Sequence, residues 1–555
     1  MSKLGESLRA LKARGFAPIA ARSPARSFKG ELVCKRGKVN ARLTISDWDF
    51  LNYPHIQILE RQAFLPELMP HVDVAGNLCY FAPGSVTLDR YDPATAILQC
   101  LDQATAILDR ICLDSSYRVA DIQNEFPAHW EYGQLLPPRQ VLLGEIKRSA
   151  TTANYFILET GDKKRALISN SPDEATRLAN ALGAKLKSSH FQCWILRTRT
   201  LPAVPQEMPT TIKALFDWIK IWDQALYTRI QNILGQRDYL KQSYLPFAIE
   251  TPVGWLGFGF DLDRMRRETY RRDPKKYRQY LHTKGGSQNL FRMAIKQVSA
   301  SFVHNRNLSY EDLQDKRVTV VGCGAIGSFV AQALVRLGAG TGERGILKII
   351  DSDKLGPENL GRHALGFPSL FRYKTEALQE ELLRLFPHSK VIGIASSAFE
   401  YKQLFDADLI IDATGEEAVS ELLNGLRLNR DAKIPVLHVW IRGNGEAVQA
   451  LWTDATGGGC YRCLTIPDSN HHRKERFELL KTASFQYTDG CRAFTPYAVS
   501  APLHASALAI DMICSWLQGS PSPKFRTRSV EGADVYKLRN HDPSKLKSCP
   551  ACDPT

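Results

Sequence analysis

Apolar positions fall into short runs in the first part of the chain and into long, nearly unbroken ones beyond residue 316. PHIQILE (54–60) and HVDV (71–74) read as strands, and ATAILQCLDQATAILDRI (94–111) spaces its apolar residues as a helix does. These pieces predict a small α+β domain over residues 1–150. Residues 151–300 open on the strand-like ALISN and QCWILRTRTL, pass through a helical stretch at TTIKALFDWIKIWDQALYTRIQNIL and end in a basic run. We read them as a middle α+β linker domain. From Lys316 the texture changes: RVTVVG reads as a buried parallel strand, GCGAIG as a turn, SFVAQALVRLG as a helix and GILKIID as a second strand. ADLIIDATG and IPVLHVWI supply two more apolar strands. Alternating strands and helices predict an α/β class, with a doubly wound, mostly parallel sheet over residues 301–555.

A length of 555 residues agrees with several domains, and 44% hydrophobic with 23% charged residues is the composition of a globular chain. No apolar run reaches the roughly 18 residues that span a bilayer. The first residues, MSKLGESLRALKARGF, lack the apolar segment and cleavage site of a secretory signal, so a cytoplasmic location is expected. The formal net charge of +14 draws on DRMRRETYRRDPKKYRQYLHTKGG (263–286), which carries no nucleic-acid module signature. A solvated face or an acidic protein partner is expected there rather than nucleic acid or a membrane.

Gly322-Cys323-Gly324-Ala325-Ile326-Gly327 lies between a strand and a helix, where Gly322, Gly324 and Gly327 let backbone amides approach a phosphate. Asp351, at the end of the next strand, is placed to bond a ribose hydroxyl. A dinucleotide dehydrogenase shares these features. The next stretch, Asp351-Ser352-Asp353, then Pro357-Glu358-Asn359-Leu360-Gly361-Arg362-His363 and Lys374, favours ATP activation of a carboxylate instead. Charge builds at the α-phosphorus during that attack, and fixed cations such as Arg362 and Lys374 lower the barrier. Asp412, closing a further apolar strand, is placed to hold Mg²⁺.

In this order and spacing, residues 316–555 resemble the adenylating superfamily of ubiquitin-activating enzymes and of the ThiF- and MoeB-like activators of sulfur carriers. The resemblance implies that Asp351 binds ribose, that Asp353, Asn359, Arg362 and Lys374 contact ATP phosphates, and that Asp412 binds Mg²⁺. It also implies a homodimer in which an arginine upstream of the first strand reaches the other copy's ATP, and Arg306 is the candidate. His363 departs from the glutamine usual in the sulfur-carrier activators.

Twelve cysteines include two Cys-x-x-Cys knuckles, Cys460/Cys463 and Cys549/Cys552. Four thiolates complete a tetrahedral Zn²⁺ with no open position, so the metal is structural. A redox pair of disulfides is the rival reading, disfavoured in a reducing compartment. The CYRCL string with a second knuckle near the C-terminus also resembles the sulfur-carrier activators. Cys34, Cys100, Cys112, Cys193, Cys323 and Cys514 read as inert thiols. Between the knuckles, where a crossover loop of the superfamily carries its reactive thiol, Cys491 is followed by Arg492, a cation that favours thiolate.

The N-terminal string Pro70-His71-Val72-Asp73-Val74-Ala75-Gly76-Asn77-Leu78-Cys79-Tyr80, with a proline-started helix at Pro93, resembles the active-site segment of ubiquitin-conjugating enzymes. That resemblance makes Cys79 the conjugating thiol. The usual His-Pro-Asn is broken, since Val72 follows His71 and no asparagine occupies the third place. His71 is then a positioning residue or a structural one. Together the two regions resemble the bacterial fusion proteins that accompany cyclic-oligonucleotide synthases in anti-phage signalling. The resemblance implies ATP- and Mg²⁺-dependent adenylation of a partner's C-terminal tail, a ubiquitin-like protein or such a synthase, then transfer through Cys491 and Cys79 to a target lysine. A sulfur-carrier adenylyltransferase without a conjugating step and a non-catalytic scaffold are the alternatives.

Overall fold

The computed structural model describes residues 3–20, 25–131, 139–187, 190–430, 433–489 and 492–553. The chain divides into two compact units, residues 1–170 with 187–296, and residues 171–186 with 297–555.

The first unit contains two sheets. In one, the strands Ala17–Ile19, Arg26–Cys34, Gly37–Ile45, His55–Ile58 and Asn77–Leu78 pair in sequence order, all antiparallel. Alternation along Gly37–Ile45 turns Val39, Ala41, Leu43 and Ile45 inward, against Ile97, Leu101 and Leu108 of the helix Pro93–Leu113. Asp92 caps that helix by accepting the Thr95 amide, and Pro93 starts it without forfeiting a needed donor.

The other sheet closes into a ring. Seven of its strands follow the order Phe191–Arg197, Tyr244–Thr251, Gly254–Asp261, Phe291–Gln297, Arg139–Leu143, Lys163–Ser169 and Thr152–Thr160, and Thr152–Thr160 pairs back onto Phe191–Arg197. Val141, Tyr155, Ile168, Ile195 and Ala248 fill its inside. Outside, Trp194, Phe247 and Phe258 pack under the helices Ile212–Trp222, Gln224–Ile233 and Pro274–His282. The stretch expected as one helix breaks at Asp223, whose carboxylate accepts the Ala225 and Leu226 amides and so starts a new helix. The basic run forms the helices Arg264–Thr269 and Pro274–His282, with Arg264, Arg271, Arg272 and Lys275 exposed.

The second unit carries a seven-stranded sheet ordered Val391–Ile394, Ile346–Ile350, Arg317–Val321, Leu409–Asp412, Val436–Arg442, Ala447–Thr453 and Phe525–Ser529. The first four pairings are parallel and the last two antiparallel, the mostly parallel sheet expected from sequence. Leu347 and Ile349 face one core with the helices Ala325–Arg336, Lys374–Leu385 and Ser500–Leu517, while Ile350, Ile410 and Val436 face a second core on the other side. Sheets covered on both faces need such continuous apolar strands. The chain runs outward from Arg317–Val321 on one side and then returns to place Leu409–Asp412 on the other. That reversal is a topological switch point, where ligands bind beyond the strand C-termini. Among the described residues, no helix is long and apolar enough to cross a membrane.

Candidate active sites

Gly322 ends the strand Arg317–Val321 at φ 87°, and a Cβ on it would lie 2.9 Å from the Thr414 amide nitrogen. Gly327, in the first turn of the following helix, lies so close to the Gly322 carbonyl that a Cβ would stand 1.8 Å from its oxygen. Nothing lies within 4 Å of where a Gly324 Cβ would be, and Gly324 caps the helix. An anion therefore has room at a helix N-terminus whose amides have no intrahelical acceptor. Gly327→Ala, which pushes backbone against backbone, is expected to cost about 3 kcal/mol. Gly425→Ala, in a helix with no atom near its Cβ position, is expected to stabilise by about 1 kcal/mol. Denaturant unfolding of both variants checks the contrast.

A cavity of about 620 Å³ opens at this switch point, lined by Gly322, Gly324, Asp351, Asp353, Asn359, Arg362 and Lys374. Asp351 organises its floor: one carboxylate oxygen accepts the Cys323 amide at 2.6 Å and the other the Asp353 amide at 2.8 Å. The Lys374 ammonium, 8% exposed, donates to Asp353 at 2.9 Å. The Arg362 guanidinium lies 5.0 Å from the centroid of the Tyr497 ring. Asn359 accepts the Gly356 amide at 3.0 Å, which folds the loop between Asp353 and Arg362. His363 accepts the Leu365 amide on Nδ1 and so donates from Nε2 to the Cys323 carbonyl. Burial pushes its pKa down, so this neutral tautomer is the one that braces the glycine loop.

Three expected residues are not among those lining the cavity. Gly327 stands behind it as helix packing, and Arg306 is exposed at the end of the helix Ala300–Asn305, against Phe302. Asp412, 1% exposed, lies one layer back. Its carboxylate accepts the Thr414 hydroxyl at 2.7 Å, the Ser420 hydroxyl and His438 Nδ1 at 2.8 Å. Burial raises its pKa, but the His438 and hydroxyl hydrogen bonds outweigh that and hold the carboxyl below its usual range. Each of its two oxygens accepts two hydrogen bonds. Sequence reasoning passed over Ser396, Ser397, Glu416 and Tyr497, which also line the cavity from separate connections. Nothing local in the sequence marks them.

Ser484, Thr495 and Tyr497 bring the segment between the knuckles to the cavity edge. Cys491 itself lies outside the described residues. Cys323 is fully buried, which raises its thiol pKa, in keeping with an inert thiol. Cys34, Cys100, Cys112 and Cys193 are buried as well, and Cys514 is half-buried.

The knuckles meet as the sequence implies. Cys460 lies 3.9 Å from Cys463 and from Cys549, sulfur to sulfur, and Cys463 lies 3.6 Å from Cys552. All four sulfurs lie within 4.8 Å of one another. Zinc–sulfur bonds of about 2.3 Å in a tetrahedron place sulfurs about 3.8 Å apart, whereas a disulfide needs about 2.05 Å. The donor set and spacing fit Zn²⁺. Leu428, Leu546 and Ala551 pack around the cluster, and the Leu546 amide points at the Cys463 sulfur.

In the first unit, HVDV forms no strand. Asp73 accepts the Ala75 and Asn77 amides and Gly76 takes φ 82°, making a tight hairpin in which Val72 bridges to Leu78. Cys79 follows, exposed, its amide donating to the His71 carbonyl at 2.8 Å. The His71 ring turns the other way. Its Nε2 is 2.8 Å from the Tyr117 hydroxyl and 3.3 Å from Asp121, both on the helix Ser115–Asn124. His71 thus fastens that helix to the cysteine hairpin. Asn77 donates its side-chain amide to Asp73 at 2.7 Å and offers nothing to the thiol. Cys79 shares a cavity of about 580 Å³ with His71, Glu125 and His129. Burial and then the Glu125 charge raise its thiol pKa.

A nucleotide-sized cavity at a glycine-rich switch point, a four-cysteine cluster and an exposed hairpin thiol define an adenylating region joined to a conjugating-like region. Residues 296–550 match the ThiF family and residues 17–134 the prokaryotic E2 family B. The ATP-dependent ubiquitin transferase-like protein Cap2 of Pseudomonas aeruginosa (strain BWHPSA011 / Pa011) is 30% identical over 515 residues, 91% of this chain and 90% of that protein. Its namesake in Vibrio cholerae serotype O1 is 24% identical over 538 residues, 90% of each. The molybdopterin-synthase adenylyltransferase of Escherichia coli K12 is 31% identical over 160 residues, 28% of this chain and 61% of that protein. The chain belongs to the Cap2 family. Its paired regions make it an enzyme of adenylation and transfer chemistry.

Proposed function

We propose that the chain uses ATP to adenylate the C-terminal carboxylate of a partner protein, passes the acyl group to Cys491 and then to Cys79, and joins it to a lysine of a target. The observation that carries this reading is the pairing, in one chain, of the cation-bearing cavity with the exposed Cys79 hairpin. In the cavity, Gly324 and the helix N-terminus receive phosphate oxygens, Asp351 receives ribose, and Arg362 with Lys374 face the charge that builds at the α-phosphorus. Arg306, exposed, is read as reaching the ATP of a second copy in a homodimer. Asp412 is the residue read to hold Mg²⁺, which when bound would supply positive charge to offset the phosphates. Asp353 faces the cavity, and Asp412 holds the wall behind it through Thr414. Cys460, Cys463, Cys549 and Cys552 hold structural Zn²⁺. We place the enzyme in the cytoplasm, with the tail of a ubiquitin-like protein or a cyclic-oligonucleotide synthase as substrate and anti-phage defence as its setting. We read residues 1–150, 151–300 and 301–555 as its conjugating, linking and activating parts.

The transfer from Cys491 to Cys79 exchanges one sulfur leaving group for another of similar strength, so access rather than driving force sets the order of these two thiols. Cys491→Ala is expected to form the adenylate and charge nothing, while Cys79→Ala accumulates the thioester on Cys491. Non-reducing gels and ATP–pyrophosphate exchange separate the two. Normal charging of Cys79 in Cys491→Ala would show direct transfer from the adenylate, and charging of neither cysteine would favour sulfur transfer over conjugation.

A further inference from the structure

The cavity beside Cys79 has an unusual balance of charge. Its carboxylates are Glu67, Asp73, Glu125 and Glu207, and among the described residues no lysine or arginine lines it. Glu67 is paired with Arg61 at 2.9 Å and Asp73 is engaged within its own hairpin, which leaves Glu125 and Glu207 as the carboxylates open to a ligand. Leu68, Val72, Leu78 and Met208 give the same cavity an apolar wall. Glu207 and Met208 come from the segment between the strand Phe191–Arg197 and the helix Ile212–Trp222, far along the chain from the cysteine. Glu125 continues the helix that His71 fastens, and one side-chain oxygen or nitrogen from each of His71, Asp121 and Glu125 lies within 4.8 Å of the others.

We propose that this cavity is the acceptor-amine subsite: Glu207 steers a target lysine to the rim, the apolar wall takes its methylenes, and Glu125 receives a proton from its ammonium. The inference rests on the reading of Cys79 as the conjugating thiol and assigns the middle domain a share in that site. The chemistry requires such a group. A lysine amine in water is neutral in fewer than about one molecule in a thousand at pH 7, and only the neutral amine attacks a thioester. Glu125 takes the first proton and later releases it to solvent. The nitrogen lone pair forms the C–N bond, the C–S bond pair returns to sulfur, and the second amine proton goes to that sulfur, so Cys79 leaves as a thiol. Burial and then the Glu125 charge raise the Cys79 thiol pKa, which suits departure in the protonated form. Glu125 acts on the acceptor, which answers the missing asparagine at the third motif place without replacing it atom for atom.

The test uses the full chain with Cys491→Ser, acylated on Cys79 by exchange with an N-acetylglycyl thioester and followed by intact mass. Discharge is measured with Nα-acetyl-lysine methylamide, which needs a proton acceptor, and with hydroxylamine, which is already neutral. Glu125→Gln is expected to slow the lysine reaction on the order of 100-fold and leave hydroxylamine discharge unchanged. Glu207→Gln is expected to slow the lysine reaction about threefold, the size of one exposed charge contact. If the lysine rate in Glu125→Gln stays within about twofold of the parent while the parent outpaces an N-acetylcysteine thioester, the subsite assignment is overturned. If the parent itself is no faster than that free thioester, the reading of Cys79 fails instead. Unchanged hydroxylamine discharge shows that the thioester of each variant stays accessible, and an unchanged melting temperature shows that the variant is folded.

Discussion

Lys374→Ala is expected to lower ATP–pyrophosphate exchange by about 100- to 1,000-fold, and Arg362→Ala to do much the same. The expectation follows from burial. The Lys374 side chain is 8% exposed and is held by Asp353, so on the proposed reading it would meet the phosphates already desolvated and aimed. Its loss also leaves Asp353, 67% exposed, as an uncompensated negative charge facing a polyanion. Lys374→Arg is not expected to rescue, because a planar fork does not fit where one nitrogen meets one carboxylate oxygen. For Arg362 the supporting surface is the Tyr497 ring, so Tyr497→Ala should weaken exchange by less than Arg362→Ala does. Calorimetric titration with ATP separates lost binding from lost chemistry. Exchange within about threefold of the parent in both Lys374→Ala and Arg362→Ala would refute the placement of the α-phosphate between them.

Removal of the metal has the second large effect. Parent protein is expected to carry about one Zn²⁺ per chain, and Cys463→Ser to lose it together with several kcal/mol of stability, given the roughly 10 kcal/mol or more that a structural zinc supplies. Cys463 is fully buried and touches both knuckles, so a serine there leaves a hydroxyl among three thiols with no way to relax outward. The loss should reach the nucleotide. Tyr461 follows Cys460 directly, and its ring lies 4.8 Å from that of His438, which holds Asp412 behind the cavity. Chelation is therefore expected to weaken ATP binding as well as lower the melting temperature, whereas a metal-free protein of unchanged stability would contradict the assignment.

What the sequence made legible is what is local. Strands covered on both faces must be apolar throughout, so RVTVVG, GILKIID and ADLIIDATG could be read directly, and the structure returns them as Arg317–Val321, Ile346–Ile350 and Leu409–Asp412. The cavity residues Asp351, Asp353, Asn359, Arg362 and Lys374 were legible because one short connection carries them all, and the topology then had only to place that connection at the switch point. Where two local signals competed, pattern alone misled. HVDV alternates as a strand does, yet the Asp73 carboxylate and a left-handed Gly76 make it a turn. The helix expected to start at Ser328 begins at Ala325, inside the glycine motif, because Gly324 can cap it.

Taken alone, the sequence determined the classes of the two terminal regions, the two cysteine pairs and the polar residues of the glycine-rich cavity, since each depends on chemistry within a few tens of residues, whereas the 89-residue separation between the knuckles had to be closed by the fold. Only the tertiary structure decided that Arg139–Leu143, from the first 150 residues, closes a ring with six strands of the middle region, in which Trp194 pairs with both Phe247 and Thr152. It alone set Asp412 behind the cavity wall, and it alone brought Glu125 and Glu207 into one cavity with Cys79. These outcomes depend on which distant surfaces bury each other best. Side-chain periodicity tells a strand which face to bury, but the partner is chosen by packing and by the satisfaction of buried polar groups across the whole fold, which no window of sequence contains.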